Sequence, residues 1–186
     1  DPALVTNSLS ICGVHDIFQP YLQRGNIDVG FLSGAQIDPY GNLNTTVIGD
    51  PAKPKVRLPG SGGACEIAAH AKKIFIVMKL GSRAFVEKCD FITSVGRKAH
   101  GKSREELELP GSGPQVVITD HGVFRFGDDQ KMLLTEIYQG TSIDEMQEKC
   151  GFKIQASNDL IESPAPSLET LELLRKKLDP NRYYLK

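Results

Sequence analysis

Tryptophan is absent from these 186 residues, and cysteine occurs only four times. Cys12, Cys65, Cys89 and Cys150 stand far apart with no C-x-x-C pair. That spacing speaks against a metal site or a dense disulfide framework and suggests free thiols in a reducing, cytoplasmic setting. Charge of either sign is not in excess: charged residues make up 24% and the formal net charge is −1. A polyanion partner is therefore not implied, and nucleic-acid binding is not expected. No apolar run approaches the roughly 20 residues of a membrane span, so no membrane partner is expected either. The opening DPALVTNSLS lacks the basic, then apolar, pattern of a secretory signal. It also starts on Asp1 and shows no periodic pattern before about Asp16, as expected of a chain whose natural beginning is missing. The length suits one domain, residues 1–186, large enough to bury a core.

Residues Asp16–Gln23 can form a short helix with Phe18, Tyr21 and Leu22 on one side. Ile27–Leu32 and Ile74–Met78 are apolar runs that predict buried strands, the second covered on both faces. Gly62–Lys73 carries Ile67, Ala68, Ala71 and Ile74 at helical spacing. Phe91–Thr93 is a candidate short strand, and the charged, glycine-interrupted Arg97–Glu108 reads as an exposed, mobile excursion. Gln115–Thr119, Gly122–Phe126 and Met132–Tyr138 are close enough to predict an antiparallel meander. Ser142 and Glu145 form a capping box for a helix to Cys150, stopped by Gly151. Ser167–Leu178 predicts a last amphipathic helix before Asp179–Pro180. The expected class is α/β: an open, mostly parallel sheet with flanking helices plus an antiparallel portion.

Two loops carry the chemistry. Gly60-Ser61-Gly62-Gly63-Ala64 packs three glycines ahead of a predicted helix. Bare backbone N–H groups at a helix start can approach an oxyanion or phosphate oxygen closely. In a dry site one such donor is worth about 3–4 kcal/mol of transition-state stabilisation. A tight strand-to-helix turn without a ligand explains the glycines equally well. The spacing matches neither the dinucleotide fingerprint nor the Walker loop. The second loop, Ser33 to Asn44 (SGAQIDPYGNLN), follows a predicted strand, where ligands of open α/β sheets bind. Gly34 and Ala35 permit close approach there, and Gln36 and Asn44 offer neutral amides to a thioester carbonyl or carboxylate. A self-satisfied loop is the competing reading.

GAQIDPYGNLN followed by PGSGGA, a helix and an apolar strand resembles the B (β) subunits of class I coenzyme A-transferases, above all the glutaconate CoA-transferase branch. The likeness continues through Arg83, Phe85, Asp90–Val95, Leu109–Phe126 and the C-terminal helix, nearly the whole chain. It implies transfer of CoA between an acyl-CoA and a free carboxylic or dicarboxylic acid through glutamyl-CoA intermediates. Coenzyme A would then be a substrate, with no permanently bound cofactor or metal. It implies an oxyanion donor at Gly63, next to Gly62, with Gly34, Ala35, Gln36 and Asn44 around the substrate. A homologous A (α) subunit would complete a heterotetramer or larger assembly.

The resemblance also requires a nucleophilic glutamate in an S-E-N-G or E-S-G motif upstream of the Gly34 loop. Asp1, Asp16 and Asp28 are the acids there, and none has that context. The nucleophile segment is thus expected outside this chain. Decarboxylation or hydrolysis of a CoA thioester on the same scaffold, or a non-catalytic partner role, remain alternatives. Glu66 reads as a first-turn helix acid, Cys65 draws notice beside the glycine loop, and Arg57 and His70 read as surface or packing residues. His15, His100 and His121 lack ligand-spaced neighbours.

Overall fold

The computed structural model describes residues 5–184. Strands in chain order are β1 (Val29–Leu32), β2 (Gln36–Ile37), β3 (Leu43–Asn44), β4 (Val47–Asp50), β5 (Lys53–Arg57) and β6 (Lys73–Val77). They continue with β7 (Lys98–Ala99), β8 (Lys102–Ser103), β9 (Pro114–Ile118), β10 (Gly122–Phe126), β11 (Met132–Tyr138) and β12 (Gln155–Ser163). One six-stranded sheet has the order β1-β6-β9-β10-β11-β12. Its first three strands are parallel, β9-β10-β11 is the antiparallel meander, and β12 returns parallel to β11. The other strands form three small hairpins, β2-β3, β4-β5 and β7-β8.

Helices fill the connections. A first turn α1 (Val14–Ile17) continues into a π-wound Phe18–Leu22, which buries Leu22 while Tyr21 stays exposed. Helix α2 (Ala64–His70) crosses back between β5 and β6. It ends earlier than its apolar spacing predicts because the Lys72 and Lys73 N–H groups are captured by the Ile27 and Asp28 carbonyls, starting the β1-β6 pairing. Helix α3 (Ile143–Glu148) starts on the expected capping box: Ser142 Oγ accepts the Glu145 N–H at 3.2 Å, and Glu145 Oε2 accepts the Ser142 N–H at 3.1 Å. Ser167 likewise caps α4 (Leu168–Glu172), which widens into a π-wound Leu173–Leu178.

One face of the sheet makes the core. Leu32, Ile74, Ile76, Val117, Phe124 and Leu134 pack against Ala68 and Ala71 of the α2 segment and against Met146 of α3. Phe85 is fully buried, its ring 6.1 Å from Phe124 and 6.3 Å from Phe152. Burial of each such ring contributes about 2–3 kcal/mol. The opposite face corrects the expectation of strands covered on both sides. Phe31 is 67% exposed and Val77 49%, so β1 and β6 alternate rather than bury continuously.

Two further expectations change. Phe91–Thr93 forms no strand; Ser94 makes only an isolated bridge to Leu43. The Arg97–Glu108 excursion is tied down instead of free. Arg104 is buried, and its guanidinium donates to the carbonyls of Gly111, Val95, Gly96, Ala68 and Ala69 at 2.7–3.2 Å. A cation suits the carbonyl-rich C-terminal end of α2. Burial, with Arg97 nearby, brings the Arg104 pKa down to about 10. The β4-β5 hairpin and β12 have no counterpart among the sequence expectations.

Candidate functional site

The two glycine-bearing loops meet at the carboxyl end of β1. The first is a hairpin whose strands, β2 and β3, pair Gln36 with Asn44 and Ile37 with Leu43. Its tip is closed by Asp38: one carboxylate oxygen accepts the Tyr40 and Asn42 N–H groups at 3.0 and 3.1 Å, the other the Asn42 amide at 2.8 Å. Gly41 sits at φ +74, where its N–H reaches the Asp38 carbonyl at 2.9 Å. Burial raises the Asp38 pKa, and these three hydrogen bonds oppose the rise. The hairpin is clamped into the body at both strands. Ile37 exchanges backbone hydrogen bonds with Ala84 and Val86, and Leu43 does so with Thr93 and Ser94.

The second loop leaves β5 at Leu58 and enters α2 through Gly63, its N-cap. The Gly60 N–H donates to the Thr45 carbonyl and the Ala64 N–H to the Ser61 carbonyl. Among the described residues, the N–H groups of Ser61, Gly62 and Gly63 have no protein acceptor. Ser33, Gly34, Ala35 and Thr45 from one loop and Leu58–Ser61 and Ala64 from the other line an open cleft of about 370 Å³. Its wall is small and mostly apolar, without a carboxylate. Such a cleft can admit a flat acyl group and offer neutral donors at its edge.

Gly34 and Ala35 line the cleft opposite the glycine loop. A side chain at Gly34 would crowd the Gln36 and Asn44 carbonyls at 3.2 and 3.3 Å. Gly62 and Gly63 lie on the same loop, beyond the cleft wall itself. Gly63 has an ordinary backbone (φ −93), so its need for glycine comes from contact: an added Cβ would fall 2.4 Å from Phe18 Cζ.

Gln36 and Asn44 correct the expectation of amides turned toward substrate. Both are buried, Asn44 completely. The Asn44 amide donates to Gln36 Oε1 at 2.7 Å and the Val47 carbonyl at 2.6 Å, while its oxygen accepts the Thr46 and Val47 N–H groups. Gln36 donates to Asp90 Oδ2 at 3.2 Å and accepts the Asp90 N–H at 3.0 Å; the same Oδ2 accepts the Gly49 N–H. Their polar groups hold the loop together. Asp90 lies 54 residues from Gln36, a pairing that no local pattern signals.

The lesser candidates resolve simply. Glu66 points to Gln23 Nε2 at 3.3 Å and His70 Nδ1 at 3.2 Å, away from the cleft wall. Cys65 is exposed, with Ser61 Oγ 3.1 Å from its sulfur. Arg57 is exposed, and its guanidinium reaches the Pro51 carbonyl at 3.4 Å. His15 and His121 each pair with the adjacent aspartate, and no group of three or more metal-ligating side chains forms among the described residues. No helix among these residues is long and apolar enough to cross a membrane.

Residues 11–149 match the family model described as "Coenzyme A transferase". The chain belongs to the coenzyme A transferase family. It is 43% identical over 176 residues to the B subunit of the 3-oxoadipate CoA-transferase of Pseudomonas knackmussii, covering 94% of this chain and 68% of that one. It is 41% identical to the B subunit of the glutaconate CoA-transferase of Acidaminococcus fermentans, covering 89% and 62%. The crystal structure of glutaconate coenzyme A-transferase from the same organism superposes with a TM-score of 0.79 at 39% identity, covering 89% of this chain and 64% of that one. The chain thus spans about two thirds of the length of these relatives. The mostly parallel sheet that places the two loops together is the coenzyme A transferase architecture.

Proposed function

We propose that this chain is the B subunit of a coenzyme A transferase, active with an A subunit, and that it supplies the oxyanion-binding half of the active site. The observation that carries this reading is the cleft between the loops: small walls, no carboxylate in the lining, and the unpartnered Ser61 N–H in that lining, with those of Gly62 and Gly63 next along the loop. Gly63 is the leading donor, with Gly62 beside it; Gly34 and Ala35 shape the wall for the acyl group. Gln36 and Asn44 act through the loop they hold.

In this reading a glutamate carboxylate from outside the described cleft attacks the thioester carbonyl of an acyl-CoA. The carbonyl oxygen gains negative charge and is held by the loop N–H groups. The C–S bond breaks, giving an acyl-glutamyl anhydride and CoA thiolate. The thiolate then attacks the glutamyl carbonyl, releasing the first acid and leaving a glutamyl-CoA thioester. A second carboxylate attacks that thioester to form a new anhydride, and CoA thiolate attacks its acyl carbonyl, regenerating the glutamate. No cofactor or metal takes part. Dicarboxylic acyl groups, as in the names of the two relatives, are the substrate class proposed here.

The test is to treat the complete two-subunit protein with acyl-CoA and then borohydride. Reduction of one glutamyl thioester, with matching loss of activity and a mass change on one peptide, is expected. Full activity after that treatment, with no modified peptide, contradicts the reading.

A further inference from the structure

The glycine loop can present its donors only if its peptide planes are fixed, and three glycines do not fix themselves. Gly60 has φ +95, and a Cβ there would meet nothing within 4 Å. The surrounding packing therefore does not set its conformation. What sets it is Thr45. The Gly60 N–H donates to the Thr45 carbonyl at 2.9 Å, and the Thr45 hydroxyl donates to the Gly60 carbonyl, also at 2.9 Å. Both backbone polar groups of Gly60 are thus held by one residue of the opposite loop.

We propose that Thr45 is a positioning residue, a latch that fixes the Gly60–Ser61 peptide plane and with it the first unpartnered N–H of the oxyanion loop. A trans peptide carries its C=O and N–H on opposite sides of one rigid plane. Holding the Gly60 carbonyl on Thr45 Oγ1 therefore aims the Ser61 N–H the other way and forbids the flip that a glycine otherwise permits.

Thr45 is itself anchored. Its N–H donates to Thr93 Oγ1 at 2.9 Å, and Thr93 Oγ1 lies 2.8 Å from Thr46 Oγ1. The Thr46 carbonyl accepts the Leu58 N–H at 3.0 Å, so the loop is gripped at Leu58 as well as at Gly60. Nothing in the cleft chemistry requires a threonine at 45; the requirement is a hydroxyl within reach of the Gly60 carbonyl.

This inference rests on the proposed role of the glycine loop, and the experiment separates the two. Thr45→Val keeps the shape and deletes the donor; Thr45→Ser keeps the donor. In the two-subunit protein, Thr45→Val is expected to lower kcat about 10- to 100-fold, as for a donor displaced rather than removed, with KM for acyl-CoA changed by less than about threefold. Thr45→Ser is expected to recover kcat to within about threefold of the parent. Amide hydrogen exchange at Gly60 and Ala64, whose N–H groups donate to the Thr45 and Ser61 carbonyls, should quicken in Thr45→Val and stay near parental in Thr45→Ser. Parental kcat and exchange in Thr45→Val, equal damage in both variants, or a rise in KM alone overturns the latch. If the parent protein itself shows no acceptor-dependent transfer, the functional reading fails, and the exchange comparison still decides the latch.

Discussion

Replacing Asn44 with alanine separates a residue that holds the site from one that touches substrate. The amide is fully buried and makes four hydrogen bonds, to Gln36 Oε1, to the Val47 carbonyl, and from the Thr46 and Val47 N–H groups. Alanine leaves the Val47 carbonyl and two N–H groups without these partners, whereas Gln36 Oε1 keeps the Asp90 N–H. Each stranded buried group costs about 1–3 kcal/mol. Thr46 is only half-buried, so water can relieve part of that, and a total near 3 kcal/mol is expected. With a urea dependence of about 2 kcal/mol per molar, the unfolding midpoint should fall by roughly 1.5 M. Urea unfolding of the complete protein, followed by fluorescence and circular dichroism, measures this. A midpoint within about 0.3 M of the parent, together with a raised KM, would refute the buried-brace reasoning and return Asn44 to the substrate.

Three other outcomes follow from the same geometry. Gly96→Ala places a Cβ 2.2 Å from the Tyr40 carbonyl oxygen and 2.5 Å from the Gly41 carbonyl carbon, backbone atoms that cannot step aside. It should cost about 3 kcal/mol or more and loosen the β2-β3 hairpin, read as a lower melting temperature; an unchanged melting temperature contradicts it. The atoms nearest the Cβ of Gly63→Ala belong to the Phe18 ring, so its cost of about 1–2 kcal/mol should shrink in a Phe18→Ala background. A double-mutant cycle additive to within about 0.3 kcal/mol would show that the ring does not sit there. For Asp120, burial raises the pKa, but the Leu80 N–H and the His121 ring outweigh it and the net shift is downward. A lowered carboxylate pKa adds stability above its unfolded value and loses it as pH falls through the folded value. Asp120→Asn should therefore be more destabilising at about pH 7 than at about pH 3, and an equal loss at both contradicts this.

The sheet was legible in the sequence wherever the pairing is local. The three runs from Gln115 to Tyr138 are joined by short turns, so their antiparallel order follows from chain geometry. Ile74–Met78 is apolar enough to mark a strand, but its composition does not say which face stays open; Phe31 and Val77 look as buried in sequence as Ile74 and Ile76. Strand β12 (QASNDLIES) is mostly polar and lacks a strand-like apolar alternation, and pairing with β11 makes it a strand. Arg104 reads as surface charge in a charged stretch, yet its five carbonyl partners come from three separate segments. The site divides the same way. Glycines mark their own loop, and small residues mark the cleft wall. Gln36 and Asn44 are chemically as suited to a buried network as to a ligand, and the choice rests on Asp90, far away in sequence.

The most direct test of the central claim, that the glycine loop serves transfer of CoA from an acyl-CoA to a free carboxylate, is release of free CoA by the chain in complex with its proposed A subunit, with and without an acceptor acid. Thioester exchange that requires the acceptor is expected, with no net release of CoA or CO2 in its absence. Steady release of CoA or CO2 from acyl-CoA alone would contradict it and assign the same scaffold to hydrolysis or decarboxylation.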